Sequence, residues 1–343
     1  MLPPPISVAL ATYNGERYLA DQLASIAAQT TPPAELVVSD DGSTDGTVRV
    51  LESFAETAPF PVRIVRNDVP VGYGDNFLRA AALCTSDWIA FSDQDDVWLP
   101  HKLATVAAAA ATSGAVLVAH SADLVGEDLS FTGRRFPDHT RRVAGPLEGR
   151  PLQFLSGFTL AFDRTLLDGV SVDQRPRDVN TPDRQLAHDQ LVPALANVFG
   201  RTAFLPDALV LYRRHGMAVT GEQGSGDHAT DLRRKATVHL QATAADYRLQ
   251  ADIAEEYAVF LDTLGLELTG PKEALAHRGA DYYRHYARAL RGRGRVHDRQ
   301  RSRWRRVRAW AGAVGAGLYG RIGEGAGLGW RACAKDLALG VVR

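Results

Sequence analysis

Residues 88–98 read WIAFSDQDDVW, an apolar run followed at once by three carboxylates, Asp93, Asp95 and Asp96. An apolar stretch of this length is consistent with a buried strand. Three acids within four residues repel one another unless a cation holds them. A hard divalent ion supplies that compensation and keeps positions for water and phosphate oxygens, which suits a short motif with few ligands. A solvated acidic turn is the plainer reading and ranks second.

Outward from this stretch, the first half of the chain alternates. Strands are expected at ISVALAT (6–12), ELVVSD (35–40), VRIVRN (62–67), WIAFSD (88–93) and AVLVAHSA (115–122). Helical spacing runs between them at 18–29, 47–57, 76–83 and 101–112, with Leu19, Leu23 and Ile26 on one face of the first. Strands separated by ten-residue helices imply βαβ units and a mostly parallel sheet. Their continuous apolar character fits burial on both faces. After Asp123 the rhythm breaks. Residues 126–151 read as loop, FLSGFTLAFD (154–163) as a strand pair or bent strand, 186–199 as helix and LVLYRRHG (209–216) as a late strand. GEQGSGDH (221–228) reads as a linker, with helices beyond it at 229–264 and 271–291. The expected division is therefore 1–222, a nucleotide-sugar domain, and 223–343, a helical, Arg-rich region.

Three polar clusters follow strands one, two and four: TYNGE (12–16), SDDGSTDG (39–46) and SDQDD (92–96). In an open parallel sheet these strand ends share one edge, where ligands bind. The middle cluster alone reads as a turn and helix cap, since Thr44 or Asp45 suits the start of the next helix. The convergence of all three is the functional signal. VGYGDNF (71–77) has Phe77 where a dinucleotide fingerprint needs a third glycine, and it precedes the wrong helix. Neither a GxxxxGK[ST] phosphate loop nor a GxSxG elbow is present.

The 343 residues, 45% hydrophobic and 23% charged, describe a globular chain with an ample core. A net charge of −1 gives no global field for nucleic acid. Cys84 and Cys333 have no metal spacing and fit a reduced, cytoplasmic setting. The start, MLPPPIS, has no leader pattern, and no stretch is long and apolar enough to span a bilayer.

The combination resembles family 2 glycosyltransferases of the GT-A fold over about residues 5–217. It rests on VALATYNGERYLADQLASIAAQT, ELVVSDDGSTDGT, the segment Asn67 to Phe77, FSDQDDVWLPHKL, HDQLV (188–192) and YRRHG (212–216). The DQDD form is that of a rhamnosyltransferase-like branch. The resemblance implies transfer of a sugar from a nucleoside diphosphate, with inversion and with Mg²⁺ or Mn²⁺, to a glycan or lipid-linked acceptor. It implies a GT-A-type nucleotide-sugar-binding fold with a mostly parallel central sheet, plus a helical C-terminal extension. By position it gives Asp189 as catalytic base and Asp95 and His215 as metal contacts. Ala11, Thr12, Asn14, Asp41, Asn76, Asp93 and Asp96 become the donor-binding set, with Asp41 toward the nucleobase. His188 departs from the acid that many relatives carry before the base, so its role is open. The QxxRW motif of processive members is absent, which implies single sugar addition.

Two other readings stand beside this one. A sugar-phosphate nucleotidyltransferase would need a glycine-rich, basic loop after the first strand, where TYNGERY has one glycine. A non-catalytic scaffold would bind donor without turnover. From Arg284 to Arg308 there are eleven arginines and one acid, Asp298. Arg301, Arg305, Arg306 and Arg308 with Trp304, Val307 and Trp310 suit a segment at an anionic membrane surface. Glycine breaks at 292 and 294 count against nucleic acid.

Overall fold

The computed structural model describes residues 3–215, 242–320 and 328–342. The linker expected at 221–228 and the helix start expected over 229–241 lie outside these residues. The chain divides into two compact units. One comprises Met1–Pro146, Gln153–Val172 and Leu186–His215; the other comprises Leu147–Leu152, Asp173–Gln185 and Gly216–Arg343.

The first unit is a GT-A-type α/β fold. Its strands are β1 (Ile6–Thr12), β2 (Glu35–Asp40), β3 (Val62–Arg66), β4 (Trp88–Ser92), β5 (Val97–Trp98), β6 (Leu117–Val125), β7 (Phe131–Arg135), β8 (Arg142–Ala144), β9 (Leu160–Asp163) and β10 (Thr202–Arg213). Its helices are α1 (Glu16–Ala27), α2 (Thr47–Ala55), α3 (Tyr73–Ala82), α4 (Lys102–Ser113) and α5 (His188–Phe199). They form one sheet in the order β3-β2-β1-β4-β9-β6-β10-β5, with β7 on β6 and β8 on β10. β1–β4, β6 and β10 run one way, while β9 and β5 run against them.

The expected helical faces are the buried ones. Leu19, Leu23 and Ile26 of α1 and Leu51 of α2 pack on Val8, Leu10, Leu36 and Val38 of the sheet. Burial on this scale stabilises by roughly 1.5–3 kcal/mol per large apolar side chain. Two readings are corrected. Residues 126–151, expected as loop, contain β7 and β8, which their short, Arg-bearing sequences FTGRR and RVA conceal. FLSGFTLAFD yields a single 3₁₀ turn (Gly157–Thr159) leading into β9. β9 enters between β4 and β6, so the parallel run is interrupted at that point.

The second unit is helical: α6 (Ala244–Glu267), α7 (Pro271–Val296), α8 (Arg303–Gly315) and α9 (Trp330–Lys335), followed by a π-helical stretch, Asp336–Val342. Thr243 opens α6 with a reciprocal capping box to Asp246. Tyr257 of α6 stacks on Tyr283 of α7 with ring centroids 4.6 Å apart. α7 continues through Gly292 and Gly294, contrary to the break expected there. A Cβ at Gly292 would lie 3.2 Å from Leu318 and one at Gly294 would lie 3.4 Å from the Ala244 carbonyl. These glycines serve close packing. Asp336 is fully buried and is held by Arg293, His297 Nε2 (2.8 Å) and Tyr319 OH (2.7 Å).

The proposed interfacial segment is divided by this packing. Trp304 is 80% exposed, and Arg301, Arg305 and Arg308 are also exposed. Arg306, by contrast, donates to the Gly340 carbonyl, and Trp310 Nε1 donates to the Cys333 carbonyl. Among the described residues no helix is long and apolar enough to cross a membrane. Cys84 and Cys333 are free and buried.

Candidate active site

The carboxyl ends of β1, β2 and β4 are tied together by their own side chains. Gln94 makes a two-pronged contact with Tyr13, accepting from its N–H at 2.9 Å and donating to its carbonyl at 3.0 Å. A Cβ on Gly15 would lie 2.3 Å from the Gln94 side chain, so this approach needs the glycine. Asp45 accepts from the backbone N–H groups of Thr47 and Glu16, and Glu16 accepts from that of Gly46. Gly46, and not Thr44 or Asp45, occupies the cap position of α2, while Asp45 lies just before it and ties the first N–H groups of α1 and α2 together.

Several residues of the implied donor set brace these loops. Ala11 and Thr12 are buried at the end of β1, and Thr12 Oγ1 donates to Asp40 at 2.9 Å. Asn14 adopts a positive φ of 47° and accepts from the Thr44 N–H. Asn76 Nδ2 donates to the Thr12 carbonyl at 3.2 Å. Asp41 accepts from Asn67 Nδ2 (2.8 Å) and from the N–H groups of Val71 (2.7 Å) and Gly72 (2.9 Å). Its carboxylate thus holds the 67–72 loop with about three of its roughly four acceptor positions.

The acid turn after β4 crowds three carboxylates together. One ligand atom from each of Asp93, Asp95 and Asp96 lies within 4.8 Å of the others. The surrounding protein, with Asp95 and then Asp189 adding repulsion, pushes the Asp93 carboxyl up to about 8. Burial, then Asp95 and Asp93, holds Asp96 well above the usual carboxylate range. Asp96 Oδ1 accepts from the Arg213 N–H at 3.1 Å, whereas its buried Oδ2 has no hydrogen-bond partner among the described residues. Three crowded acids with an orphaned buried oxygen fit a divalent cation, whose charge would reverse these shifts.

The end of β10 closes the turn from the other side. His215 Nε2 lies 2.8 Å from Asp95 Oδ2. Arg213 donates from Nε to the Asp95 carbonyl (3.0 Å), from one terminal nitrogen to the Glu127 carbonyl (3.1 Å), and from the other to Asp21 (2.8 Å). Beneath the turn Lys102 is fully buried, its Nζ 3.5 Å from the Trp98 ring centroid and 2.9 Å from the Phe158 carbonyl. Burial lowers its pKa, while Asp96 and Asp93 act in the opposite sense. Trp98, almost fully buried, is core packing, with the Lys102 amine seated over its ring.

Asp189 sits in the first turn of α5, at the end where the helix dipole favours an anion. Its carbonyl accepts from the Leu155 N–H at 3.2 Å. His188 answers the question its position raised. It stacks on Phe77 (3.9 Å), meets Phe91 edge-on (4.8 Å) and lies near Tyr73 (6.3 Å). Burial depresses its pKa to about 3, so it is a neutral packing residue that anchors the start of α5. Gly157 gives it room, since a Cβ there would fall 2.2 Å from His188 Nε2.

Sequence reading thus names the acids, but three supports were not singled out: Lys102, Arg213 and Gln94. Each lies inside a quoted motif, FSDQDDVWLPHKL or YRRHG, which was the available signal.

Residues 7–170 match the model for "Glycosyl transferase family 2". An uncharacterized glycosyltransferase of Nostoc sp. (strain PCC 7120) is 38% identical over 216 residues, 62% of this chain and 65% of that protein. The dTDP-rhamnosyl transferase RfbG of Shigella flexneri is 39% identical over 98 residues, 27% of this chain and 34% of that one. The chain thus spans under two thirds of the length of either curated relative. The crystal structure of S. aureus TarS 1–349 in complex with UDP-GlcNAc superposes with a TM-score of 0.53 at 20% identity, covering 92% of this chain and 93% of that one. That likeness shows a shared fold.

Proposed function

We propose that the chain, whose residues 7–170 match the model for "Glycosyl transferase family 2", transfers a sugar from a nucleoside diphosphate donor to an acceptor hydroxyl. The observation that carries this reading is the acid turn itself: one ligand atom from each of Asp93, Asp95 and Asp96 lies within 4.8 Å of the others, and the buried Asp96 Oδ2 has no hydrogen-bond partner among the described residues.

In the proposed reaction Asp95, with Asp93 and Asp96, holds a divalent cation, Mg²⁺ or Mn²⁺. That ion supplies charge stabilisation for the departing diphosphate. Asp189 accepts the proton of the acceptor hydroxyl as its oxygen attacks the anomeric carbon. The new C–O bond forms as the bond to the diphosphate breaks, and the diphosphate leaves with the electron pair. One base facing the leaving group from the opposite side gives inversion. His215 orients Asp95, and Asp41 has acceptor capacity left on Oδ2 for a nucleobase N–H.

The DQDD form and the likeness to RfbG, named a dTDP-rhamnosyl transferase, support a dTDP-linked rhamnose as donor. A glycan or lipid-linked acceptor in cell-surface glycan synthesis, and an anionic membrane surface for the exposed arginines, complete the proposal. The test is a donor screen for sugar release and transfer, with and without Mg²⁺ or Mn²⁺. Transfer should need the metal and should be lost in Asp95→Asn. In Asp189→Asn, kcat should fall by about 10²- to 10⁴-fold with donor binding retained. Turnover independent of both carboxylates would refute the assignment.

A further inference from the structure

The arginines of the helical unit are not spread evenly over its surface. Arg288, Arg291 and Arg295 of α7 recur at helical spacing of three and four, which places them on one face. On α8, Arg305 and Arg308 form a second stripe, and Arg301 precedes it. The two stripes converge on a pair of adjoining cavities of about 570 and 430 Å³. Arg295, Ala316 and Leu318 line both of them. Ala309, Gly312 and Ala313 leave the space open on the α8 side.

Acids answer only part of this charge. Arg291 pairs with Asp252 and Glu255 from α6, and Arg301 pairs with Asp298. Arg288, Arg295, Arg305 and Arg308 make no ion pair with another described residue. The contrast with Arg293 and Arg284 is instructive. Arg293 binds buried Asp336 and Arg284 binds Asp262 and Asp281, so this unit does supply acids where an arginine is purely structural. Four guanidinium groups around one concavity, none paired with an acid among the described residues, raise the local potential and draw in an anion. Burial, and then the Arg288 charge, lower the pKa of His285 on the cavity wall.

We propose that this arginine-lined cavity between α7 and α8 binds a phosphate-bearing anion of headgroup size. Guanidinium forks match phosphate oxygens in pairs. The volume lies in the range of small-molecule sites, and the Ala316 and Leu318 floor suits the apolar stem of a phosphate ester. Exposed Trp304, beside Arg305, is the residue type that sits at a lipid interface. The inference rests on the surface reading in the proposed function and deepens it. Diffuse charge needs only a count of arginines, whereas a built site needs these particular ones.

The experiment uses the full chain in EDTA, which keeps the acid turn free of metal. Two probes carry phosphate from different sources: inorganic pyrophosphate, followed by calorimetry, and sedimented vesicles of phosphatidylcholine with or without one-third phosphatidylglycerol. The cavity variant Arg288→Gln/Arg295→Gln/Arg308→Gln is compared with a matched-charge control, Arg278→Gln/Arg299→Gln/Arg303→Gln, taken from exposed arginines that do not line it. Binding of at least one probe should weaken by roughly 100-fold in the cavity variant, as charge-assisted guanidinium–phosphate hydrogen bonds worth about 1.5–3 kcal/mol each are lost, and by much less in the control. The corresponding Arg→Lys cavity variant should keep most of the binding and exclude a folding defect. Pyrophosphate binding assigns a soluble ligand; binding confined to anionic vesicles assigns a lipid headgroup. Equal losses in cavity and control variants would overturn the site and leave the surface reading intact. Failure of the wild-type chain to bind either probe would end both, and preference for an oligonucleotide over both would also overturn the site.

Discussion

His215 Nε2 lies 2.8 Å from Asp95 Oδ2, joining the end of β10 to the acid turn behind β4 across 120 positions of sequence. If Asp95 holds the proposed ion, a histidine that donates to it fixes which carboxylate lone pairs would face that ion. Support of this kind is worth about 10- to 100-fold in metal affinity. His215→Ala should therefore raise the Mn²⁺ concentration for half-maximal turnover by about that factor. His215→Asn should recover part of the loss, which simple unfolding would not allow.

Lys102 is the buried amine beneath the same turn, and its Nζ donates to the Phe158 carbonyl at 2.9 Å. Leaving a buried polar group without its partner costs about 1–3 kcal/mol. Lys102→Met should lower stability by that order in urea titrations without metal. A divalent cation should restore more stability to this variant than to the wild type. Equal metal stabilisation in the two proteins would show that Lys102 and the ion act independently.

Gly157 and His188 test how firmly α5 must be seated. A Cβ at Gly157 would enter the His188 ring, which is itself packed against Phe77 and Phe91. Gly157→Ala should displace the head of α5 and lower kcat by about tenfold or more with little change in donor KM, since near-ångström misplacement of a reacting group is costly. His188→Asn, a smaller side chain, should partly rescue the double variant.

The His188 imidazole also sets a pH dependence. Its folded pKa, about 3, lies below the ordinary 6.5. Below pH 6.5 the unfolded chain binds a proton that the folded chain refuses. The stability tied to this group is complete above pH 6.5 and falls as pH drops toward 3. From pH 6.5 to 4.5 the loss is about 2–3 kcal/mol. His188→Phe should flatten the urea-midpoint profile in that window relative to wild type, and an unchanged difference would assign the slope to other groups.

The division between sequence and structure follows the range of the forces involved. Periodicity and the apolar runs at 6–12, 35–40 and 88–92 determine the βαβ half, because burying an amphipathic helix on a strand is a local pattern. The acid turn is legible for the same reason: three carboxylates in four residues are a conflict visible without coordinates. Composition could not reveal β7 and β8, which are short and carry arginines, since pairing with β6 and β10 decides them. Nor could it show that α7 runs through Gly292 and Gly294, where close neighbours outweigh propensity. The places of His188, Lys102 and Arg213 in the site, and the sorting of the arginines into buried, paired and cavity-lining, were decided by tertiary structure alone. Each depends on charges and rings brought together from distant positions, and burial, not sequence spacing, fixes what those groups do.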